Sequence, residues 1–433
     1  MISRLEKYIK DKRILILGFG REGRSTLDML TKVGGYRCIE ISDKNPVDSE
    51  ASRNFKTICG ESYLDVLDDY DIVFKSPGVV LGKPASDYKC EITCQTEIFI
   101  QSYKDRVIGI TGTKGKSTTS SLLYHELKSA GIDVLFAGNI GIPVFDVYDQ
   151  IKDETIIVIE LSCHQLEYAM TSPKRAILLN IYEDHLDHYK TREKYAEAKR
   201  NIFLHQRSTD RLWTTADTVK EGEAPSLVTY VDKDMLCIKS FKEVEGVKLR
   251  GDHNLLNAAF VYDVCKEFGL SDEQFKEALQ SFRPLPHRLE PIGNFSGIDY
   301  YDDSISTTVQ STINAVESIE NASVLLIGGM ERNIVYDELV EYLMDSKLDT
   351  VICMYESGER IFNMFESLKK EGKISKSQII KLKDIKESVE WVKKNGKRGG
   401  ACILSPAAAS YGYFKNFEER GDFFAKVVAD FVK

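Results

Sequence analysis

Short unbroken apolar runs recur along the chain, each closing on glycine, serine or proline and each followed by helical periodicity. Arg13-Ile14-Leu15-Ile16-Leu17 is the first and runs into glycines, as a buried parallel strand does. Residues 25–33 then read as a helix. Residues 71–75 form a later strand, closed by the turn Ser76-Pro77-Gly78, and a helix over 95–102 ends this unit. A second unit opens with a strand over 106–111, a glycine loop, and a helix from Lys116 to about Ala130. Strands over 155–159 and 176–179 and helices over 193–203, 254–268 and 272–281 follow. The segment Ser281-Phe282-Arg283-Pro284-Leu285-Pro286-His287 is a proline-marked linker. Beyond it lie strands over 323–327, 350–354 and 401–404. The alternation predicts an α/β protein with parallel sheets in three domains, 1–104, 105–286 and 287–433. No short-period repeat or low-complexity segment interrupts it.

Composition narrows the picture. A length of 433 residues suits about three domains. The formal charge of -9 argues against a nucleic-acid or anionic-membrane partner but leaves anionic small molecules open. No run approaches the roughly 20 apolar residues of a membrane span. The segment Met1-Ile2-Ser3-Arg4-Leu5-Glu6-Lys7 is charged and lacks a signal-peptide core. Nine cysteines without a C-x-x-C pair suggest reduced thiols in a cytoplasm and argue against structural zinc.

The strongest motif is Gly112-Thr113-Lys114-Gly115-Lys116-Ser117-Thr118, between a predicted strand and a predicted helix. It is a P-loop shortened at its start, with Ile110 where the longer signature has glycine. Its backbone N–H groups and the helix N-terminus would cradle phosphates, Lys116 would neutralise them, and Ser117 would ligate Mg²⁺. Gly18-Phe19-Gly20-Arg21-Glu22-Gly23 follows the first strand, with Glu40 and Asp43 some twenty residues on. Alone it fits either a nicotinamide-nucleotide site or a loop for the diphosphate of another nucleotide. Glu160, ending a predicted strand, is either a Mg²⁺ ligand or an acid at a strand end. Glu183-Asp184-His185-Leu186-Asp187-His188 is either a second metal site or a solvated loop. Lys199 reads by composition as a surface lysine. Cys163 and His164 suggest a nucleophile pair, but chain neighbours rarely align that way.

Taken together, these segments resemble the Mur ligases of peptidoglycan synthesis, in the branch that adds glutamate. The resemblance spans nearly the whole chain. It rests on the P-loop, Gly138-Asn139-Ile140-Gly141, Glu160-Leu161-Ser162, Asn180 to Tyr189, Gly251 to Asn257, Leu285 to Glu290, Asp302-Asp303-Ser304, Leu404 to Ser410 and Phe414 to Gly421, in that order. It implies a Rossmann-like domain for a UDP-sugar, a central P-loop ATPase domain with a parallel sheet, and a Rossmann-like C-terminal domain for the incoming amino acid. The implied reaction joins D-glutamate to UDP-N-acetylmuramoyl-L-alanine through an acyl phosphate, with ATP, two Mg²⁺ ions and closure of the domains about the linker. Addition of L-glutamate is the alternative within the family, and a nicotinamide oxidoreductase the alternative outside it. A cytoplasmic bacterial monomer is expected, with small-molecule partners only.

By the same resemblance, Gly112 to Thr118, Asn257, Arg288 and Asp303 bind ATP. Ser117, Glu160, His185 and a carbamylated Lys199 hold Mg²⁺, with Lys116, Lys199 and His185 as the catalytic set. Gly18, Phe19, Gly20, Arg21, Glu22, Asp43, Gly78 and Asn139 meet the UDP-sugar, and Thr307, Arg332, Ser410, Tyr411 and Phe417 the glutamate. The chain departs from the common pattern at Ile305 and near Arg332, where lysines are usual, and at Lys114, where asparagine is frequent. Arg21 and Glu22 replace smaller or apolar residues. The Ser304-Ile305-Ser306-Thr307-Thr308 sequence matches a variant branch, related to ligases that add L-glutamate for later epimerisation.

Overall fold

The computed structural model describes residues 1–430 except 48, 139–141, 183–185, 233–246, 248, 250–251, 284–285 and 333. The apolar runs pair as strands of three sheets. The first contains β1 (Arg13–Leu17), β2 (Cys38–Asp43), β3 (Lys56–Cys59), β4 (Ile72–Lys75) and β5 (Glu91–Thr93), in the order β3-β2-β1-β4-β5, all parallel. Ile14 to Leu17 at its centre are fully buried because helices cover both faces. The direction of winding reverses between β1 and β4, since β1 leads to β2 on one side and β4 to β5 on the other. The loops after these two strands therefore line a crevice, the usual ligand position in an open α/β sheet.

The second sheet contains β6 (Val107–Thr111), β7 (Val134–Gly138), β8 (Ile156–Glu160), β9 (Arg175–Leu178), β10 (Arg211–Thr214) and β11 (Leu227–Tyr230). Its order is β11-β10-β9-β6-β8-β7, again parallel. Here the reversal falls between β6 and β9, so the P-loop after β6 lies beside Asn180 after β9. Both sheets belong to one compact unit, Met1–Val247 with His253–Phe282. They share a core that includes Ile16, Phe74, Phe99, Ile159 and Phe203. Polar ties also join them: Gln165 Nε2 donates to Glu22 Oε1 at 2.7 Å, and Thr171 Oγ1 donates to Glu97 Oε1 at 2.6 Å.

The third sheet lies in the other unit, Lys248–Asp252 with Arg283–Lys433. It contains β12 (Glu290–Phe295), β13 (Ile298–Asp302), β14 (Ala322–Ile327), β15 (Thr350–Cys353), β16 (Gln378–Lys381) and β17 (Ala401–Leu404), ordered β12-β13-β17-β14-β15-β16. This sheet is mixed, which corrects the expectation of parallel pairing throughout. β12 runs antiparallel to β13. Ser296 and Gly297 both take positive φ, the conformation of a two-residue hairpin turn that matches strand twist. β12 tolerates Pro291 because it is an edge strand with an irregular register there. Among the described residues no helix is long and apolar enough to cross a membrane.

Candidate active site

The P-loop takes its shape from Gly115, whose φ of +87° ends the loop and opens the helix Lys116–Ser129. A Cβ there would sit 2.6 Å from Asn257 Oδ1, so only glycine admits the Asn257 side chain beside the loop. The helix N-terminus carries no side-chain cap, which suits anion binding at its first turn. Asn180 holds the loop from below, its Oδ1 accepting from Thr113 N at 3.0 Å and Lys114 N at 2.9 Å. Thr113 is buried, and its hydroxyl accepts from Tyr195 Oη at 3.0 Å. Thr118 is also buried, whereas Ser117 is half-buried at the helix start.

Lys116 Nζ donates back to Gly112 O at 3.0 Å and to Thr113 O at 3.1 Å. Lys199 Nζ donates to the same Gly112 carbonyl at 2.8 Å. Lys199 is therefore no surface residue; it is 1% exposed, with its ammonium 4.9 Å from the Tyr195 ring centroid. The helix Arg192–Leu204 buries Tyr195, Ala198, Lys199, Ile202 and Phe203, the one-face spacing of an amphipathic helix. A lysine on that stripe was the sequence signal that composition alone overlooked. Glu160 ends β8 and is 2% exposed, with Ser120 Oγ donating to it at 3.4 Å.

A cavity of about 210 Å³ opens onto these lysines, lined by Pro77, Gly78, Lys116, Ser162, Cys163, His164, Tyr195 and Lys199. It joins the turn after β4 to the P-loop region, so Gly78 lies with the catalytic candidates. Cys163 Sγ lies 3.5 Å from His164 Nδ1, contrary to the expectation that chain neighbours fail to align. The Ser162 cap of their short helix, reciprocated by Gln165, turns both side chains to this side. Asn139 and His185 lie outside the described residues.

The first glycine loop is built for close approach. Gly18 takes φ +86°, its carbonyl accepts from Ser76 Oγ at 2.7 Å, and a Cβ on Gly23 would collide with that carbonyl. Asp43 ties the loop down, accepting from Phe19 N at 2.6 Å and Asn45 N at 2.7 Å. Gly20 faces open space and Arg21 is exposed, while the Phe19 ring is buried. Glu22 instead turns inward to Gln165, and burial pushes its carboxyl pKa up.

The C-terminal unit gathers its own cluster. Asp303, 3% exposed, accepts from Ser405 Oγ at 2.7 Å and Leu289 N at 3.2 Å; burial pushes its pKa up to about 6. Arg288 Nε is buried without a hydrogen-bond partner among the described residues. His287 Nδ1 pairs with Asp302 Oδ2 at 2.7 Å, a bond that raises the imidazole pKa. Arg332 stacks over the exposed Tyr411 ring at 5.4 Å, so two glutamate candidates meet. Ser410 is buried, and Thr307 and Phe417 are half-buried. Arg420, absent from the candidates, knits these loops. Its Nε donates to Ser304 Oγ at 2.9 Å, Nη1 to Ala408 O at 3.0 Å and Nη2 to Ser304 O at 2.7 Å, and Ser304 Oγ donates on to Phe417 O.

Residues 110–235 match the Mur ligase middle domain. The chain is 32% identical to the UDP-N-acetylmuramoylalanine--D-glutamate ligase of Clostridium kluyveri, over 98% of each chain. It is 30% identical to the enzyme of the same name from Acetivibrio thermocellus, over 99% of this chain and 98% of that one. The chain belongs to the Mur ligase family. As a Mur ligase it is an ATP-dependent ligase, which settles the choice left open by the first glycine loop against a nicotinamide oxidoreductase. The fold agrees. MurF ligase from Thermotoga maritima in complex with ADP superposes with a TM-score of 0.59 at 19% identity, over 98% of this chain and 97% of that one. UDP-N-acetylmuramate-alanine ligase MurC from the same organism gives 0.57 at 18%, over 97% and 99%.

Proposed function

We propose that this ligase joins D-glutamate to UDP-N-acetylmuramoyl-L-alanine, forming ADP and phosphate through an acyl phosphate. The observation that carries the reading is identity of 30% or more along nearly the whole length of relatives named for that reaction. The cavity supports it by placing Gly78, from the first sheet, with Lys116 and Lys199. In this reading residues 1–104 hold the UDP-sugar through Gly18, Gly20, Arg21, Gly78 and Asn139. Phe19, Glu22 and Asp43 shape that loop through hydrogen bonds within the protein. Residues 105–286 hold the triphosphate. Residues 287–433 hold glutamate through Thr307, Arg332, Ser410, Tyr411 and Phe417, and Arg288 and Asp303 of that unit serve the nucleoside, as Asn257 does in the other.

The substrate carboxylate attacks the γ-phosphorus, and the glutamate amine then attacks the resulting acyl carbon. Negative charge builds at both steps. Lys116 and the N-terminus of its helix offset that charge, because they are held in position before the reaction. Magnesium, when bound, supplies further neutralisation of the phosphoryl oxygens. The donors present suit it: Ser117 and the buried Glu160 offer hard oxygen ligands beside the loop. His185 completes the proposed set.

Carbamylation of Lys199 fits the same geometry. Both lysine ammoniums donate to Gly112 O, which puts them within about 6 Å of each other. Their repulsion is about 2–3 kcal/mol at an effective dielectric of about 20. Carbon dioxide added to Lys199 would replace that repulsion with attraction and supply an anionic oxygen. The test is ADP release that requires both UDP-N-acetylmuramoyl-L-alanine and glutamate. Lys116→Ala should abolish it while keeping the wild-type circular dichroism spectrum. Release independent of either substrate contradicts the proposal.

A further inference from the structure

A second cavity in the same unit, of about 530 Å³, is lined by Arg4, Lys104, Arg106 and Arg207, with Asp105 as the carboxylate in that lining. Its wall residues Arg106, Thr171 and Arg207 precede β6, β9 and β10, so it lies at the amino ends of these parallel strands. The P-loop follows β6 at the other end, about 17 Å away over the strand's five residues. A chain of net charge -9 thus gathers cations here from three stretches distant in sequence. Carboxylates do not account for them. Asp210 Oδ2 pairs with Lys104 Nζ at 3.1 Å, and Asp105 lies 4.0 Å from Lys174 Nζ. Glu97, buried next to the lining, accepts from Gln101 Nε2 at 2.7 Å and Thr171 Oγ1 at 2.6 Å. Arg4, Arg106 and Arg207 have no carboxylate partner among the described residues. Arg106 is nonetheless held in place. Its Nη1 donates to Lys152 O and Asp153 O, and its guanidinium lies 4.9 Å from the Tyr103 ring centroid, which leaves Nε and Nη2 for a ligand. Arg4 Nη1 donates to Gln101 O, whereas the Arg207 guanidinium makes no hydrogen bond among the described residues. Three guanidiniums converging on one concavity focus a positive potential and present forked donors that match phosphate oxygens.

We propose that this cavity binds a ligand carrying a diphosphate group, at a site separate from the P-loop and independent of the proposed ligation. A single phosphate carries about -1.5 to -2 at neutral pH, so three guanidiniums match two linked phosphates more closely. The bound diphosphate ties together three segments. They are the helix Ile2–Ile9, which bears Arg4, the connection between the first two sheets, and the turn after the helix that carries Lys199.

Hydrogen–deuterium exchange of the full-length protein locates the ligand without any turnover. Inorganic pyrophosphate should protect peptides covering 101–107 and 205–210, both in the wild type and in Lys116→Ala, whose P-loop is impaired. The midpoint of that protection should rise at least tenfold in Arg207→Gln, and further in the Arg4→Gln/Arg207→Gln double variant. Both side chains are exposed, so the circular dichroism spectrum should stay that of the wild type. If the double variant does not fold, Arg207→Gln alone decides. Guanosine diphosphate distinguishes the two sources of the group: a midpoint below that of pyrophosphate assigns the site to a nucleotide, and one above it to free pyrophosphate. Protection absent from 101–107 and 205–210, or a midpoint unchanged by the arginine substitutions, overturns the proposal.

Discussion

Glu126 offers a test of the energetics behind the P-loop helix. It is fully buried on the helix Lys116–Ser129, and neither carboxyl oxygen has a hydrogen-bond partner among the described residues. Burial pushes its pKa from 4.5 up to about 9, so the folded protein holds this proton at neutral pH while the unfolded chain releases it. A raised folded pKa means the stabilisation is complete below about 4.5 and is lost as pH rises to about 9. The slope is about 1.4 kcal/mol per pH unit, which amounts to a loss of about 3 kcal/mol by pH 7. Glu126→Gln cannot ionise and removes the slope. The chain has two tryptophans, Trp213 in the same unit and Trp391 in the other. Urea unfolding followed by Trp213 fluorescence in a Trp391→Phe background therefore reports the correct unit. The variant should gain about 3 kcal/mol over its parent between pH 5 and pH 7. Parallel pH dependence in the two proteins would refute the argument.

Other consequences follow from the same geometry. Lys199→Ala should lose at least a hundredfold in ADP release, partly restored by short-chain carboxylic acids that replace the carbamate; full activity in bicarbonate-free buffer would count against the carbamate. Arg420→Lys forfeits the forked contacts to Ser304 and Ala408 and should cost the C-terminal unit about 2–4 kcal/mol in chemical denaturation. The KM for glutamate should rise more than the KM for ATP; equal changes would mean a merely structural role. Asp303, held up to about 6, should make nucleotide affinity pH-dependent between about pH 5 and 7, strengthening as the carboxylate forms to accept ribose hydroxyls. Titration calorimetry of Asp303→Asn should show that dependence gone.

Legibility of the fold followed burial. The strands read correctly were those covered on both faces, such as β4, β6, β15 and β17, whose residues are all buried and therefore spell continuous apolar runs. The edge strands β3, β11 and β16 expose both ends and are not among the strands predicted from the sequence. The hairpin of β12 was hidden by Pro291 and Gly293, residues depleted from strand interiors. At the site, the P-loop was legible because its chemistry is local, carried by contiguous residues from Gly112 to Thr118. Arg420 was not, and Lys199 was legible only through the family resemblance, because each is paired with backbone oxygens distant in sequence, Ala408 and Ser304 for the arginine and Gly112 for the lysine. Both nonetheless occupy the buried stripe of a helix, alongside Ile202 and Phe203 in one case and Phe424 and Val428 in the other. A charged residue at core spacing is a better pointer to a site than its residue type.

The central claim, ligation of D-glutamate to a UDP-linked N-acetylmuramoyl-L-alanine acceptor, meets its most direct test in an enantiomer-resolved assay. ADP release would be followed with UDP-N-acetylmuramoyl-L-alanine and either D- or L-glutamate, and the product confirmed by mass. The account predicts rapid release and a glutamylated product with D-glutamate, and at least a hundredfold slower release with L-glutamate. Preference for the L-enantiomer would transfer the chain to the other glutamate-adding branch, and absence of product with both would contradict the account.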